Sequence, residues 1–123
     1  MEKKPTESEL EILQILWRRK AATVKEIHEE LKRDVGYTTT LKMLQLMFEK
    51  GLVTRKEEGR SHQYLPLVEE TSTQHTLLEK FIDTTYRGSA SRLVMQALGN
   101  QEVSKEELDE IKRLIQSLEN KQL

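Results

Sequence analysis

Cysteine is absent from the chain, which excludes disulfide staples and thiolate metal sites. Aromatic residues are scarce at 5%, and the five glycines never take the spacing of a phosphate-cradling loop. No stretch approaches the ~20 consecutive apolar residues of a membrane span. The opening Met1-Glu-Lys-Lys-Pro-Thr-Glu7 lacks the apolar run of a secretion signal. A cytoplasmic location without direct membrane contact is therefore expected. His28, His62 and His75 are scattered, with none of the short helical spacings that hold a metal. The acidic pairs Glu29-Glu30, Glu57-Glu58 and Glu106-Glu107 read as solvated charge. Ser61 beside His62 is a neighbour pair in sequence, whereas catalytic triads assemble in space. No enzyme activity, metal or cofactor is expected.

What the chain does hold is charge, at 33% of residues against 36% apolar. A chain of 123 residues is one domain, or a small domain with an appendage. At this size folding buries about 65% of the unfolded surface, so a core shared with a second subunit would help. The net charge of −1 hides an asymmetry. Residues 1–68 carry 13 Lys and Arg against 11 Asp and Glu, and residues 69–123 carry 7 against 10. Between Tyr37 and Tyr64 the balance is 5 basic to 3 acidic. That polarity permits a nucleic-acid partner without demanding one.

Three positions pair a hydroxyl residue with a Glu three places later: Thr6/Glu9, Thr23/Glu26 and Ser104/Glu107. Each pair can satisfy two orphan backbone N–H groups reciprocally, so each predicts a helix start. The first helix, about Thr6 to Arg19, is expected to bury Leu10, Ile12, Leu13, Leu16 and Trp17. The second, about Thr23 to Arg33, presents Val24, Ile27 and Leu31 at helical spacing, with His28 on its solvated side. The third runs from about Tyr37 to Lys50, where Gly51 suits a left-handed cap.

At ~100° per residue, Leu41, Leu44 and Phe48 of this third helix point toward the core, and Thr39, Lys42, Met43, Leu46 and Lys50 point away. Short hydroxyls and Lys on an outer face can reach base edges and phosphates, and an exposed Met or Leu can touch thymine methyl groups. A competing reading packs Met43 and Leu46 under the following hairpin. That hairpin is expected from strands Val53–Glu57 and Ser61–Leu65 around Glu58-Gly59-Arg60, ended by Pro66. Its tip would carry Arg60 to a phosphate or a minor groove, with Lys56 and His62 beside it. The anatomy is a winged helix-turn-helix over residues 1–68.

Past Leu67 the pattern changes. Residues 69–123 read as a helical dimerisation domain with three amphipathic helices. Leu77, Leu78, Phe81, Ile82 and Tyr86 stripe the fourth helix. Leu93, Val94, Ala97 and Leu98 stripe the fifth, which Gly99-Asn100 should stop. Leu108, Ile111, Ile115 and Leu118 form a coiled-coil-like seam on the sixth. Such helices cannot easily build an independent core, so an interlocked homodimer is expected. The predicted fold is thus mostly α with a small β-hairpin: a winged helix-turn-helix plus a C-terminal helical dimerisation arm.

These residues resemble the penicillinase-repressor family, the BlaI/MecI type that also includes the CopY repressors. The resemblance rests on Pro5-Thr-Glu-Ser-Glu-Leu10, Ile15-Leu-Trp17, Val24-Lys-Glu-Ile27, Tyr37-Thr-Thr39, Glu49-Lys-Gly-Leu-Val53, Gly59-Arg60, Tyr64-Leu-Pro66 and Ser104-Lys-Glu-Glu-Leu108. Their order and spacing cover nearly the whole chain. The resemblance implies a homodimeric repressor on palindromic operator DNA, with entwined C-terminal helices. It also implies a membrane sensor–protease system, since in β-lactam resistance such repressors are inactivated by proteolysis. The chain departs from the family pattern at three points. Gln96-Ala97 stands where the cleavage position typically reads Asn-Phe. Leu46 stands where Arg is frequent, which bears on the operator sequence. No Cys-x-Cys pair exists, so copper sensing of the CopY type is excluded.

Under this reading Thr38, Thr39, Lys42 and Met43 lie nearest the bases, with Leu46 on the same outer face, and Thr6, Lys50 and Arg60 hold phosphates. The alternative is a winged-helix protein-interaction adaptor without specific DNA binding, docking through its Met and Leu face. The near-neutral net charge favours that alternative, and the whole-length resemblance favours the repressor.

Overall fold

A computed structural model describes residues 4–32 and 34–122. Among them the order is α1 (Glu7–Arg19), α2 (Val24–Leu31), α3 (Tyr37–Lys50), β1 (Val53–Glu58), β2 (Ser61–Pro66), α4 (Glu70–Tyr86), α5 (Ala90–Asn100) and α6 (Lys105–Lys121). The chain divides into two compact units, the first ending at Glu79 and the second beginning at Lys80.

Each predicted helix start forms as a reciprocal cap. The Glu9 N–H donates to Thr6 Oγ1 at 3.2 Å while the Thr6 N–H donates to Glu9 Oε1 at 2.9 Å. Thr23 and Glu26 repeat the pattern at 3.2 and 2.8 Å, and Ser104 with Glu107 at 3.1 and 3.4 Å. Such a cap contributes about 0.5–2 kcal/mol. α2 ends two residues before the expected limit, with Lys32 in the left-handed region (φ 51°); Arg33 lies outside the described residues. α3 closes at Gly51 (φ 81°), and the Leu52 N–H reaches back to the Met47 carbonyl at 2.9 Å. A Cβ would be strained at that φ, which is why Gly serves there.

The hairpin pairs Val53 with Pro66 through Glu58 with Ser61, each strand one residue longer than the sequence pattern suggests. Gly59 (φ 64°) opens its two-residue turn. A bridge between Ala22 and Tyr64, with N–H···O distances of 3.0 and 2.8 Å, pins β2 to the segment before α2. One bridging residue carries no periodicity, so nothing in the sequence pattern marks it.

The core of the first unit is Ile12, Leu13, Ile15 and Leu16 from α1, Ala22, Val24 and Ile27 around α2, Leu44 and Met47 from α3, and Leu52, Val53 and Tyr64. Several expectations need correction. Ile15 is buried, whereas Leu10 and Trp17 are half-buried; the Trp17 indole donates to the Val68 carbonyl at 3.0 Å, which draws its ring edge to the surface. On α3 the buried set is Thr40, Leu44 and Met47, rather than Leu41, Leu44 and Phe48. Phe48 is exposed and its ring lies under the Arg55 guanidinium at 4.1 Å. Leu41 packs half-buried against the core, and so does Met43, which the wheel had turned outward. His28, expected on the solvated side of α2, is half-buried, and its Nδ1 shares a 2.8 Å hydrogen bond with Thr40 Oγ1.

The second unit is built differently. No described residue of α5 or α6 is buried. Gly99-Asn100 does not stop α5 but forms its last turn, and Gln101 caps it. Ile82, Tyr86, Leu93, Leu98 and Ile111 are half-buried, while Phe81, Val94, Leu108, Ile115 and Leu118 are exposed; Leu77 (half-buried) and Leu78 (exposed) lie on the part of α4 that belongs to the first unit. Met95 at 75% and Leu114 at 59% add exposed apolar surface that the sequence pattern did not single out. The Phe81 and Tyr86 rings meet edge to face at 5.7 Å, and the Tyr86 hydroxyl donates to Gln96 Oε1 at 3.1 Å.

Candidate nucleic-acid interface

α3 presents its outward strip because its inward one is fixed by burial. With Thr40, Leu44 and Met47 in the core, the opposite side at ~100° per residue centres on Lys42. Thr38, Thr39, Lys42 and Leu46 all lie on that strip and are exposed, Leu46 at 46%. Leu46 therefore does not pack under the hairpin. Two further exposed residues share the strip, Gln45 and Glu49. Gln45 was missed by the sequence reading; its amide offers the donor and acceptor that match adenine in a major groove. The signal was its position next to Thr38 on the wheel, about 20° away. Met43 sits at the margin, half against the core.

Around the start of α3 lies a cleft of about 420 Å³ formed by the first turn of α2, the first turns of α3, and β2. Lys25, Arg60 and His62 line it together with Tyr37, Thr23 and Ser61, and no carboxylate is among its walls. Arg60 is exposed at the hairpin turn. The cationic side of the hairpin and the N-terminal end of α3 thus share one surface.

Thr6 and Lys50 meet through Glu9. The Lys50 ammonium donates to both Glu9 carboxylate oxygens at 2.8 Å, although 41 residues separate them. Burial pushes the Glu9 carboxyl up, but the Lys50 hydrogen bond, the Thr6 backbone N–H, the Lys50 charge and the Thr6 hydroxyl together hold it below the usual carboxylate range. The Thr6 hydroxyl accepts the Glu9 N–H at 3.2 Å and belongs to the same cap that holds the Glu9 carboxylate. Lys50, half-exposed, spends two of its three donors on Glu9. Its charge is thereby largely compensated on the protein itself.

Among the described residues no group of three His, Asp or Glu converges as a metal site requires. No helix of the described residues is long and apolar enough to cross a membrane.

Helices α1 to α3, the Ala22 bridge and the hairpin define a winged helix-turn-helix. The solution structure of the DNA-binding domain of the repressor BlaI superposes with a TM-score of 0.51, 28% identical, covering 58% of this chain and 92% of that one. The chain belongs to the penicillinase repressor family, which matches residues 5–117. It is similar to the methicillin resistance regulatory protein MecI of Mammaliicoccus sciuri, 28% identical over 88% of this chain and 89% of the relative. Similarity to the penicillinase repressor of Bacillus licheniformis reaches 25% identity over 94% and 92% of the two chains.

Proposed function

We propose that this protein is a homodimeric transcriptional repressor that reads palindromic operator DNA through α3. The observation that carries the proposal is the exposed strip of Thr38, Thr39, Lys42 and Leu46, set beside a cationic hairpin in a chain of the penicillinase repressor family. A helix of this kind enters the major groove with its N-terminal residues at the base edges. Thr38, Thr39 and Lys42 then meet bases, with Gln45 added to the set. Leu46 offers apolar contact to a thymine methyl, and Met43, half-buried, reaches the groove only by its tip. Thr6 and Arg60 hold phosphates through a hydroxyl and a guanidinium. Lys50 acts on a phosphate through its remaining N–H.

The dimer rests on the second unit. Its apolar stripes, Phe81 on α4, Val94 on α5, and Leu108, Ile115 and Leu118 on α6, are exposed in the single chain, as is Leu78 just before the unit begins. Isolated helices of 11 to 17 residues are marginal in water without tertiary packing. A second copy supplies that packing, with Leu77, Ile82, Tyr86, Leu93, Leu98 and Ile111 at the edges of the buried seam. Two-fold symmetry then demands half-sites a whole number of ~10-base-pair turns apart. The family's sensor–protease partner is a further expectation, with Gln96-Ala97 at the position of cleavage.

Selection of bound fragments from random duplex DNA tests the proposal. The expected product is an inverted repeat, and binding to it should fall about 10³–10⁵-fold between 50 and 200 mM salt if 6–10 phosphates are neutralised. Failure to enrich any sequence, with a flat salt response, would replace the repressor by the protein-interaction adaptor.

A further inference from the structure

The start of α3 carries the residues proposed to meet bases, yet it is poorly secured by its own sequence. Its N-cap is Gly36, which offers no side-chain acceptor to the first turn. Three successive threonines follow Tyr37, and β-branched residues lose side-chain freedom in a helix. A first turn of that composition frays unless something outside the helix holds it.

His28 of α2 is in position to do so. Its Nδ1 lies 2.8 Å from Oγ1 of Thr40, a side chain with no solvent exposure. Its ring meets the Tyr37 ring edge to face, with centroids 5.8 Å apart. The two α3 residues so engaged, Tyr37 and Thr40, bracket Thr38 and Thr39. Fixing the bracket fixes the direction of the two exposed hydroxyls between. A buried hydroxyl without a partner is costly, so Thr40 in turn depends on the imidazole.

We infer that His28 is a positioning residue for sequence recognition: it presets the first turn of α3 so that Thr38 and Thr39 face the bases. The inference rests on the proposal that α3 reads operator DNA. Its consequence is specific to reading. Non-specific binding depends on phosphates and tolerates a loose first turn, whereas base contacts specify and require the turn to be ordered. An unsecured turn must be ordered during binding, which weakens the operator complex alone.

The test uses the full-length protein, a duplex selected by the wild type from random DNA, and an equal-length scrambled duplex. His28→Ala should weaken binding to the selected duplex about tenfold, while the scrambled duplex and the salt slope stay unchanged. His28→Asn, whose amide places a polar atom near the Nδ1 position, should recover most of the loss. Thr40→Val should match His28→Ala, and the double variant should lose no more than either alone. Circular dichroism at the assay temperature keeps the comparison to folded protein, and Thr40→Ser, which retains the hydroxyl, should bind like wild type. Equal losses on both duplexes, unchanged affinity in His28→Ala, or no recovery in His28→Asn would overturn the inference. If the wild type itself shows no preference for any duplex, the repressor reading fails first and the inference falls with it.

Discussion

The two compact units solve the problem of burial in opposite ways. The first closes a core of twelve buried apolar residues from three helices, a loop and a hairpin, and completes it with a buried threonine that has its own partner. The second leaves every described residue of α5 and α6 unburied, with its apolar stripes half-buried or exposed. On the proposed reading, a DNA-reading unit carries its own core, and a unit that pairs with a copy of itself can take its core from that copy. The contrast fits a chain with 36% apolar residues and 5% aromatics.

The sharpest way to break the comparison is Phe81→Asp. A carboxylate in the proposed seam should give monomers by light scattering and lower operator affinity about 10²–10⁴-fold through lost bivalency. A variant that remains dimeric would place the interface elsewhere. Next in size, Leu44→Ala should destabilise the first unit by about 2–5 kcal/mol in denaturant titration, independent of protein concentration. Leu118→Ala, by contrast, should shift the melting only in proportion to dimer dissociation, and a concentration-independent shift would argue for a self-contained arm. Lys42→Ala should leave stability unchanged and weaken operator binding by about 1–3 kcal/mol in fluorescence anisotropy. Unchanged affinity would remove Lys42 from the readout.

The smallest expected effect concerns pH. The folded Glu9 carboxyl is held below its ordinary value of 4.5, so the proton binds the unfolded chain more readily. The stability it contributes is present above that ordinary value and is lost as pH falls through the lowered folded one. Glu9→Gln preserves the reciprocal cap, since Gln serves in that position, but removes the charge that Lys50 recognises. Its stability should therefore be lower than wild type near neutrality, with the difference closing under acid. A constant difference across that range would assign the effect to packing instead.

Much of this was legible in the sequence because it is local. Three hydroxyl–Glu pairs announced three helix starts, Gly51 announced a left-handed cap, and Gly59 between alternating strands announced the turn. What escaped the pattern depends on pairs far apart in the chain. The inward face of α3 was placed around Phe48 because a wheel counts Thr40 as polar; only His28, twelve residues earlier, makes that hydroxyl tolerable in the core. Freed from the core, Phe48 takes Arg55 as cover. The Glu9–Lys50 pair, the Ala22–Tyr64 bridge and the Trp17–Val68 bond likewise join residues with no periodic relation. In the candidate interface, the outward placing of Thr39, Lys42 and Leu46 followed from spacing, while Gln45 was passed over and Met43 proved half-committed to packing.

DNase footprinting of the purified protein on the DNA upstream of its own gene, repeated on duplexes it selects from random sequence, tests the central claim most directly. The repressor dimer predicts a protected patch with two-fold sequence symmetry and half-sites a whole number of ~10-base-pair turns apart, lost in Phe81→Asp at the same protein concentration. Absence of protection on every duplex, or protection without symmetry that survives in a monomeric variant, would contradict it.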